Sequence, residues 1–378
     1  MNTTLKILTT IGLTAVMGAV FPVAAADIVV GQVAPFTGAL ASTGKGLQLG
    51  AQVYFDAVNA KGGIQGHKIR VVSEDDGYKA EETVKKVKKI LAEEKPVALF
   101  GLVGTGNVEA LVKDGVLATE EIPLVGPRTG ATSLRKPNPL LFHIRVDYKA
   151  EAEKMVAQLI PFGLKKIAVL YQNDAFGNDG LNGVQGAMEK HGLQLIAKGS
   201  YEKNTTKVEE AVKVISKENP QAVLLISNTA ATAEFVKQYR VIDKGTQLLA
   251  LSVTDADTVV KTIGIETARG LGIVMVVPLP RKQGVALVNE FQKNFQEFGP
   301  KNTDPSLTVL EGYVTAKVLV EGLRRAGKNL QRSTVLKGLQ SIDHFDVGGY
   351  QISFNQEKKS VYGYVEIGVI GGDGKIKM

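Results

Sequence analysis

Along the chain, short runs of β-branched and apolar residues alternate with stretches whose apolar positions recur every three or four residues. "DIVVGQVAP", "KIRVVSEDD", "VALFGLVG" and "IPLVG" read as strands. Between them, "GLQLGAQVYFDAVNAKGG" reads as an amphipathic helix closed by Gly62 and Gly63, and "AEETVKKVKKILAEE" as a helix stopped by Pro96. "NVEALVKDGVLATEE" completes this half. The alternation then repeats. "KAEAEKMVAQLIPFG", "LNGVQGAMEKHG" and "ATAEFVKQYRVI" read as helices, and "KKIAVLYQND", "LQLIAKGSYE", "QAVLLIS" and "GLGIVMVVPLP" as strands. A capping box from Thr206 to Glu209 is expected to open the helix that ends at Asn219-Pro220.

Strict β–α alternation predicts parallel sheets covered by helices on both faces, and two rounds of it predict an α/β protein with two doubly wound parallel-sheet lobes. The end of the chain differs. Three helical patterns, "GVALVNEFQKNFQEFG", "LTVLEGYVTAKVLVEGLRRAG" and "STVLKGLQ", follow one another without a strand. "GGYQISFN" and "VYGYVEIGVIGGDG" then read as antiparallel strands with a Gly-Asp-Gly turn. No long polar linker separates the lobes.

The first residues change the picture of where the protein works. Lys6, the apolar run Ile7 to Phe21 and the small residues Ala24 and Ala26 make residues 1–26 a secretory signal cleaved near Ala26. The alternative, a membrane anchor, needs an unbroken apolar span of ~20 residues, and Thr14 and glycines interrupt this run. The expected location is periplasmic, with no integral membrane segment in the mature chain. There is no cysteine, so a large core must do what disulfides do in many exported proteins. The formal net charge of +7 is modest. The densest basic run, Lys85 to Lys89, lies on the polar face of a helix whose Val84, Val87 and Leu91 point inward, so no nucleic acid partner is expected.

Catalytic chemistry finds little footing. Without cysteine there is no thiolate nucleophile or ligand. His67, His143, His191 and His344 form no metal-ligand spacing and read as surface or helix-end residues. "GALASTGKG" has five residues between Gly38 and Gly44 and puts Gly46 where a P-loop has its hydroxyl. "GTGNVE" puts Glu109 at the third glycine of a dinucleotide fingerprint. No metal or other cofactor is expected, and the chain is not read as an enzyme.

A binding site survives. "GLVGTGN" places Thr105 at the carboxyl end of a strand and the start of a helix, where its hydroxyl and free N–H groups suit a carboxylate. The bland alternative is that Thr105 or Asn107 caps the helix. One strand later, "IPLVGPRTGATSLR" breaks into small and hydroxylated residues around one cation, Arg128.

"VGQVAPFTGALASTGKGLQLGAQVYFDAVNAKGGIQGHKIRVVSEDDGY", "PLVGPRTGATSLR", "IAVLYQNDAFGNDG" and "LEGYVTAKVLVEGLRRAG" together resemble the leucine/isoleucine/valine-binding protein family, solute-binding components of ABC importers. The resemblance implies a type I periplasmic-binding fold whose lobes close on a small-molecule ligand. It puts 27–146 and 278–349 in lobe one, and 147–277 and 350–378 in lobe two. Thr105 matches a position that binds the ligand's carboxylate. Arg128, Thr129 and Gly130 fall in the loop that binds the amino-acid head. Phe176 matches an aromatic that covers the ligand, or is a core ring. Asn228 and Thr229 follow a strand where relatives place a polar or aromatic contact. Asp255 or Asp257 would oppose the ligand ammonium, or cap the helix that follows. Tyr78 and Gly104 stand where some relatives carry a disulfide.

Arg128 departs from the family pattern. It binds a carboxylate of the ligand, or pairs with Asp255 or Asp257 across the cleft as a latch, or lies on the surface at the cleft mouth. The implied function is delivery of a small carboxylate-bearing solute, a branched-chain or other amino acid or a related organic acid, to the permease subunits of an ABC importer. A ligand sensor reporting to a receptor is the alternative.

Overall fold

The computed structural model describes residues 27–354 and 363–378. The expected signal, residues 1–26, lies outside them. The first lobe opens with β1 (Ile28–Ala34), α1 (Ala41–Ala60), β2 (Ile69–Asp75), α2 (Ala80–Glu93) and β3 (Ala98–Phe100). It continues with α3 (Thr105–Asp114), α4 (Val116–Thr119), β4 (Leu124–Val125) and β5 (Leu141–Phe142). These strands form one parallel sheet in the order β2-β1-β3-β4-β5.

The second lobe begins at α5 (Tyr148–Leu159), β6 (Ile167–Gln172), α6 (Ala175–Glu189), β7 (Ala197–Tyr201) and α7 (Glu209–Lys217). It goes on through β8 (Ala222–Ile226), α8 (Thr229–Ile242), β9 (Gln247–Ala250), α9 (Ala256–Ile263), α10 (Ile265–Ala268) and β10 (Gly272–Met275). The chain then supplies α11 (Ala286–Phe298), α12 (Leu307–Arg325), α13 (Arg332–Gln340), β11 (Phe345–Asp346) and β12 (Gln351–Ile352), and ends in β13 (Glu366–Ile370) and β14 (Ile376–Lys377). The second sheet runs β14-β13-β10-β9-β8-β6-β7, parallel except for β13 and β14. Gly371 and Gly374 turn the last hairpin as expected. β12 pairs with β11 in a separate ribbon, and Ile352 and Phe354 pack into the first lobe's core.

Helix α1 packs on α12 through two glycines. A Cβ at Gly50 would lie 1.8 Å from the Val309 carbonyl oxygen, and one at Gly312 would lie 2.2 Å from that of Leu47. Tyr54, Phe55 and Val58 on α1 and Tyr313, Val314 and Leu310 on α12 form the cluster this approach seals. No helix among the described residues is long and apolar enough to cross a membrane.

Several elements differ from the sequence pattern. The helix expected over 107–121 is cut at Gly115, whose φ of 82° ends α3 and starts α4. The Thr206 capping box does not form. The buried Val208 is the N-cap of α7, and burying that side chain fixes the register one residue before Glu209. β5 and β9 are runs too short for periodicity to mark.

His143 is neither surface nor helix-end. Its Nε2 lies 3.0 Å from the Leu134 carbonyl and ties the loop after β4 to β5. Burial, and secondarily Arg135, pulls its pKa down to about 3. The ring stays neutral in the folded protein while the unfolded chain takes a proton near its ordinary value. Stability should therefore fall as pH drops below about 6.5, by up to about 1.4 kcal/mol per unit from this group. His143→Gln should flatten that part of the curve, as urea midpoints measured at stepped pH would show.

Candidate functional site

In both sheets the strand order reverses beside the first strand of the lobe, between β1 and β3 and between β6 and β8. Ligands of doubly wound sheets bind outside the carboxyl ends of strands at such points. Here the two points face each other. The loops after β1 and β3 bring Leu40, Thr43, Val103, Gly104 and Thr105 to one wall of a cavity. The starts of α6 and α8 bring Phe176 and Asn228 to the other. Arg128, Tyr78, Tyr148 and Val253 complete the lining.

The cavity measures about 20 Å³, where one water needs ~10–15 Å³ by the same measure. The lobes are drawn together by contacts across the seam. Gln172 Nε2 donates to Tyr78 Oη at 3.3 Å, Lys203 Nζ to Asn107 Oδ1 at 2.9 Å, and Thr308 Oγ1 to Asp255 Oδ2 at 3.1 Å. Anything larger than a water enters only when these contacts part.

Thr105 is the first residue of α3, and its Oγ1 lies 2.8 Å from Thr129 Oγ1. No side chain caps α3, so the capping alternative for Thr105 and Asn107 is set aside. The first intrahelical bond, Val108 N–H to Gly104 O at 3.0 Å, leaves the N–H groups of residues 105–107 without an acceptor in the helix. They sit at its positive end. Asn107 donates to Thr83 at 2.8 Å and accepts from Lys203.

Arg128 is 3% exposed, which overturns the reading of a surface arginine. A one-pair bridge to Val103 continues β3 and β4 and fixes its backbone: Arg128 N–H donates to Leu102 O at 2.7 Å. Its charge partner is neither Asp255 nor Asp257 but Glu311 on α12, which accepts from Arg128 Nη1. Arg128 Nη2 donates to the Ser252 carbonyl and to Thr308 Oγ1, both at 3.3 Å. Arg145, also buried, shares Glu311 at 3.2 Å and pairs with Glu151 at 3.1 Å. Glu151 in turn accepts from Ser252 N–H and Oγ, each at 2.9 Å.

Two arginines and two glutamates thus form a closed network, with Ser252 and Glu151 from the second lobe and Glu311 and Arg128 from the first. Burial lowers the Arg128 pKa and Glu311 opposes it. Burial also disfavours charge on Arg145, but Glu311 and Glu151 together outweigh it and raise that pKa. The latch foreseen for Arg128, a pair with Asp255 or Asp257 across the cleft, does not form: a buried guanidinium must be neutralised, and Glu311 of the same lobe does so, leaving the hydrogen bond to the Ser252 carbonyl as its link to the second lobe.

Of the other expected site residues, Phe176 lines the cavity and meets Tyr148 edge-on, with centroids 5.2 Å apart. Asn228 lines it too, while its Oδ1 caps α8 by accepting from Ala230 and Ala231 N–H, each at 3.1 Å. Thr129, Gly130, Thr229 and Asp255 form a layer behind the lining. Gly130 O accepts from Tyr148 N–H at 2.8 Å, and a Cβ there would lie 2.7 Å from the tyrosine ring. Thr229 Oγ1 accepts from Asp255 N–H at 3.0 Å, and Asp255 Oδ1 caps α9 through Thr258 N–H at 2.9 Å.

Tyr148 and Lys203 escaped the sequence reading, and Tyr78 was not read as a residue of the site. Tyr78 sits at φ 62° with its ring where a Cβ of Gly104 would be, 2.4 Å from that position. Lys203 Nζ stands over this ring, 4.1 Å from its centroid. Among the described residues no group of His, Asp and Glu could hold a metal ion.

Residues 27–375 match the family described as periplasmic binding protein. A substrate-binding periplasmic protein from Ralstonia solanacearum shares the fold with a TM-score of 0.88 and 40% sequence identity, covering 93% of this chain and 99% of that one. An extracellular ligand-binding receptor from Verminephrobacter eiseniae ef01-2 gives a TM-score of 0.86 at 31% identity, covering 93% and 100%. Leu/Ile/Val-binding protein homolog 7 of Brucella suis biovar 1 is 23% identical over 360 residues, 89% of this chain and 87% of that protein.

Proposed function

The chain belongs to the periplasmic binding protein family, and from that premise we propose that it captures a small carboxylate-bearing solute outside the cytoplasm and delivers it to the permease subunits of an ABC importer. Branched-chain or other amino acids and related organic acids form the solute class. In this reading residues 1–26 are a leader removed near Ala26, and Thr105, Arg128, Phe176 and Asn228 touch the solute. Thr129, Gly130, Thr229 and Asp255 hold those four in place.

The observation that carries the reading is the uncapped start of α3 inside the cavity. The backbone N–H and hydroxyl of Thr105 there, at the positive end of the helix, offer a carboxylate the donors that water supplies outside. Arg128 adds one N–H more, because its buried Nε has no partner. Hinge opening admits the solute and the seam contacts reform over it. A solute that binds only the closed, folded protein must raise its melting temperature. A screen of amino acids, organic acids and amides should therefore give shifts among carboxylates. Thr105→Val should weaken the best of them about 10- to 100-fold in calorimetry, the scale of one hydrogen bond to a charged group. Equal affinity in the variant would place the solute elsewhere.

A further inference from the structure

We infer that the solute carries a carboxylate but no ammonium group, on an apolar body. The inference rests on the reading of this cavity as a carboxylate site and narrows it. A free amino acid brings two charges into the cleft, and a buried ammonium needs an acceptor of opposite charge or a full set of hydrogen bonds.

No acidic side chain is among those that line the cavity, and the nearest carboxylates of the described residues are already engaged. Glu311 and Glu151 are neutralised by Arg128 and Arg145. Asp255 accepts from Thr258 N–H and Thr308 Oγ1. Asp174 accepts from Gly177 N–H at 3.2 Å and Gln172 Nε2 at 2.7 Å. Asp76 accepts from Tyr78 N–H at 2.9 Å and Thr83 Oγ1 at 2.7 Å.

The fixed charge facing the cavity is positive. Arg128 forms part of the wall with its charge balanced by Glu311, Lys203 reaches the first turn of α3, and the helix presents its own positive end. An ammonium would meet like charge on that side. Of the aromatic rings in the wall, Tyr78 already carries Lys203 over one face, and Phe176 and Tyr148 meet edge to face. What remains is an anion-binding corner followed by Leu40, Val103, Val253 and Phe176, which suits a branched or aromatic hydrocarbon chain.

Calorimetry with matched pairs tests this: 4-methylpentanoate against L-leucine, and 3-phenylpropanoate against L-phenylalanine. Each des-amino acid should bind at least about tenfold more tightly than its amino acid, the cost of an ammonium left without a counter-charge. Tighter binding of the amino acids would overturn this inference and leave the carboxylate-binding reading intact. If neither series binds, both fall. Asn228→Asp places a carboxylate in the cavity wall and should narrow or reverse the preference. An unchanged preference would also overturn the inference.

Discussion

Glu311→Gln should lower stability by about 3–5 kcal/mol, the range for stripping one partner from a buried ion pair. Glutamine fills the same space and keeps a hydrogen-bonding oxygen, so packing is not at issue. The loss is the charge. Arg128 and Arg145 both share this one carboxylate, with side chains 2% and 1% exposed. Without it, two guanidinium groups face a single Glu151. The melting temperature should fall on the order of 10 °C. Glu210→Gln offers a contrast, because its pair with Lys213 is largely exposed and such pairs contribute ~0–1 kcal/mol. Replacing Arg128 by Met in the Glu311→Gln background should recover part of the loss, since Arg145 keeps Glu151. A Glu311→Gln protein that melts with the wild type would mean that the network is not neutralised as described.

Gly312→Ala and Gly50→Ala should each cost about 1–3 kcal/mol or more, the penalty for overpacking a close contact. The added methyl groups would meet backbone oxygens, at 2.2 Å from Leu47 O and 1.8 Å from Val309 O. No rotamer change relieves such overlap, so α1 and α12 must separate. Because α12 also carries Thr308 and Glu311, the separation should weaken solute affinity as well as lower the urea midpoint. The same substitution has the opposite sign at Gly186 in α6, where an added Cβ meets nothing within 4 Å. There Gly186→Ala should stabilise by up to about 1 kcal/mol. Equal midpoints for all three variants would exclude close helix contact as the reason for the glycines.

The two-lobed α/β architecture was legible because buried parallel strands and covering helices leave different periods in the sequence. So was the position of Thr105 and Arg128, because each follows an apolar strand in a loop of small residues. The partner of Arg128 was not. Glu311 lies 183 residues away on a helix whose other charged residues can reach water, and nothing local distinguishes it from a solvated glutamate. Lys203 was hidden for a similar reason: it follows β7 in a polar turn and meets Asn107 and the Tyr78 ring of the first lobe only across the seam. Asp255 shows the converse. It has the composition of a site residue and the local geometry of a helix cap, and the cap uses one of its oxygens.

The chain contains no tryptophan and ten tyrosines, and several of those tyrosines gather at the seam. Tyr78 takes a hydrogen bond from Gln172 and lies beneath Lys203, Tyr201 donates to Gln172 at 3.0 Å, and Tyr148 stacks edgewise on Phe176. With no indole to drain their excitation, the ultraviolet emission of the protein comes from tyrosine alone. Parting the lobes removes an ammonium and a hydrogen bond from one of these phenols. The protein therefore carries a native optical reporter of its own opening, readable without a label.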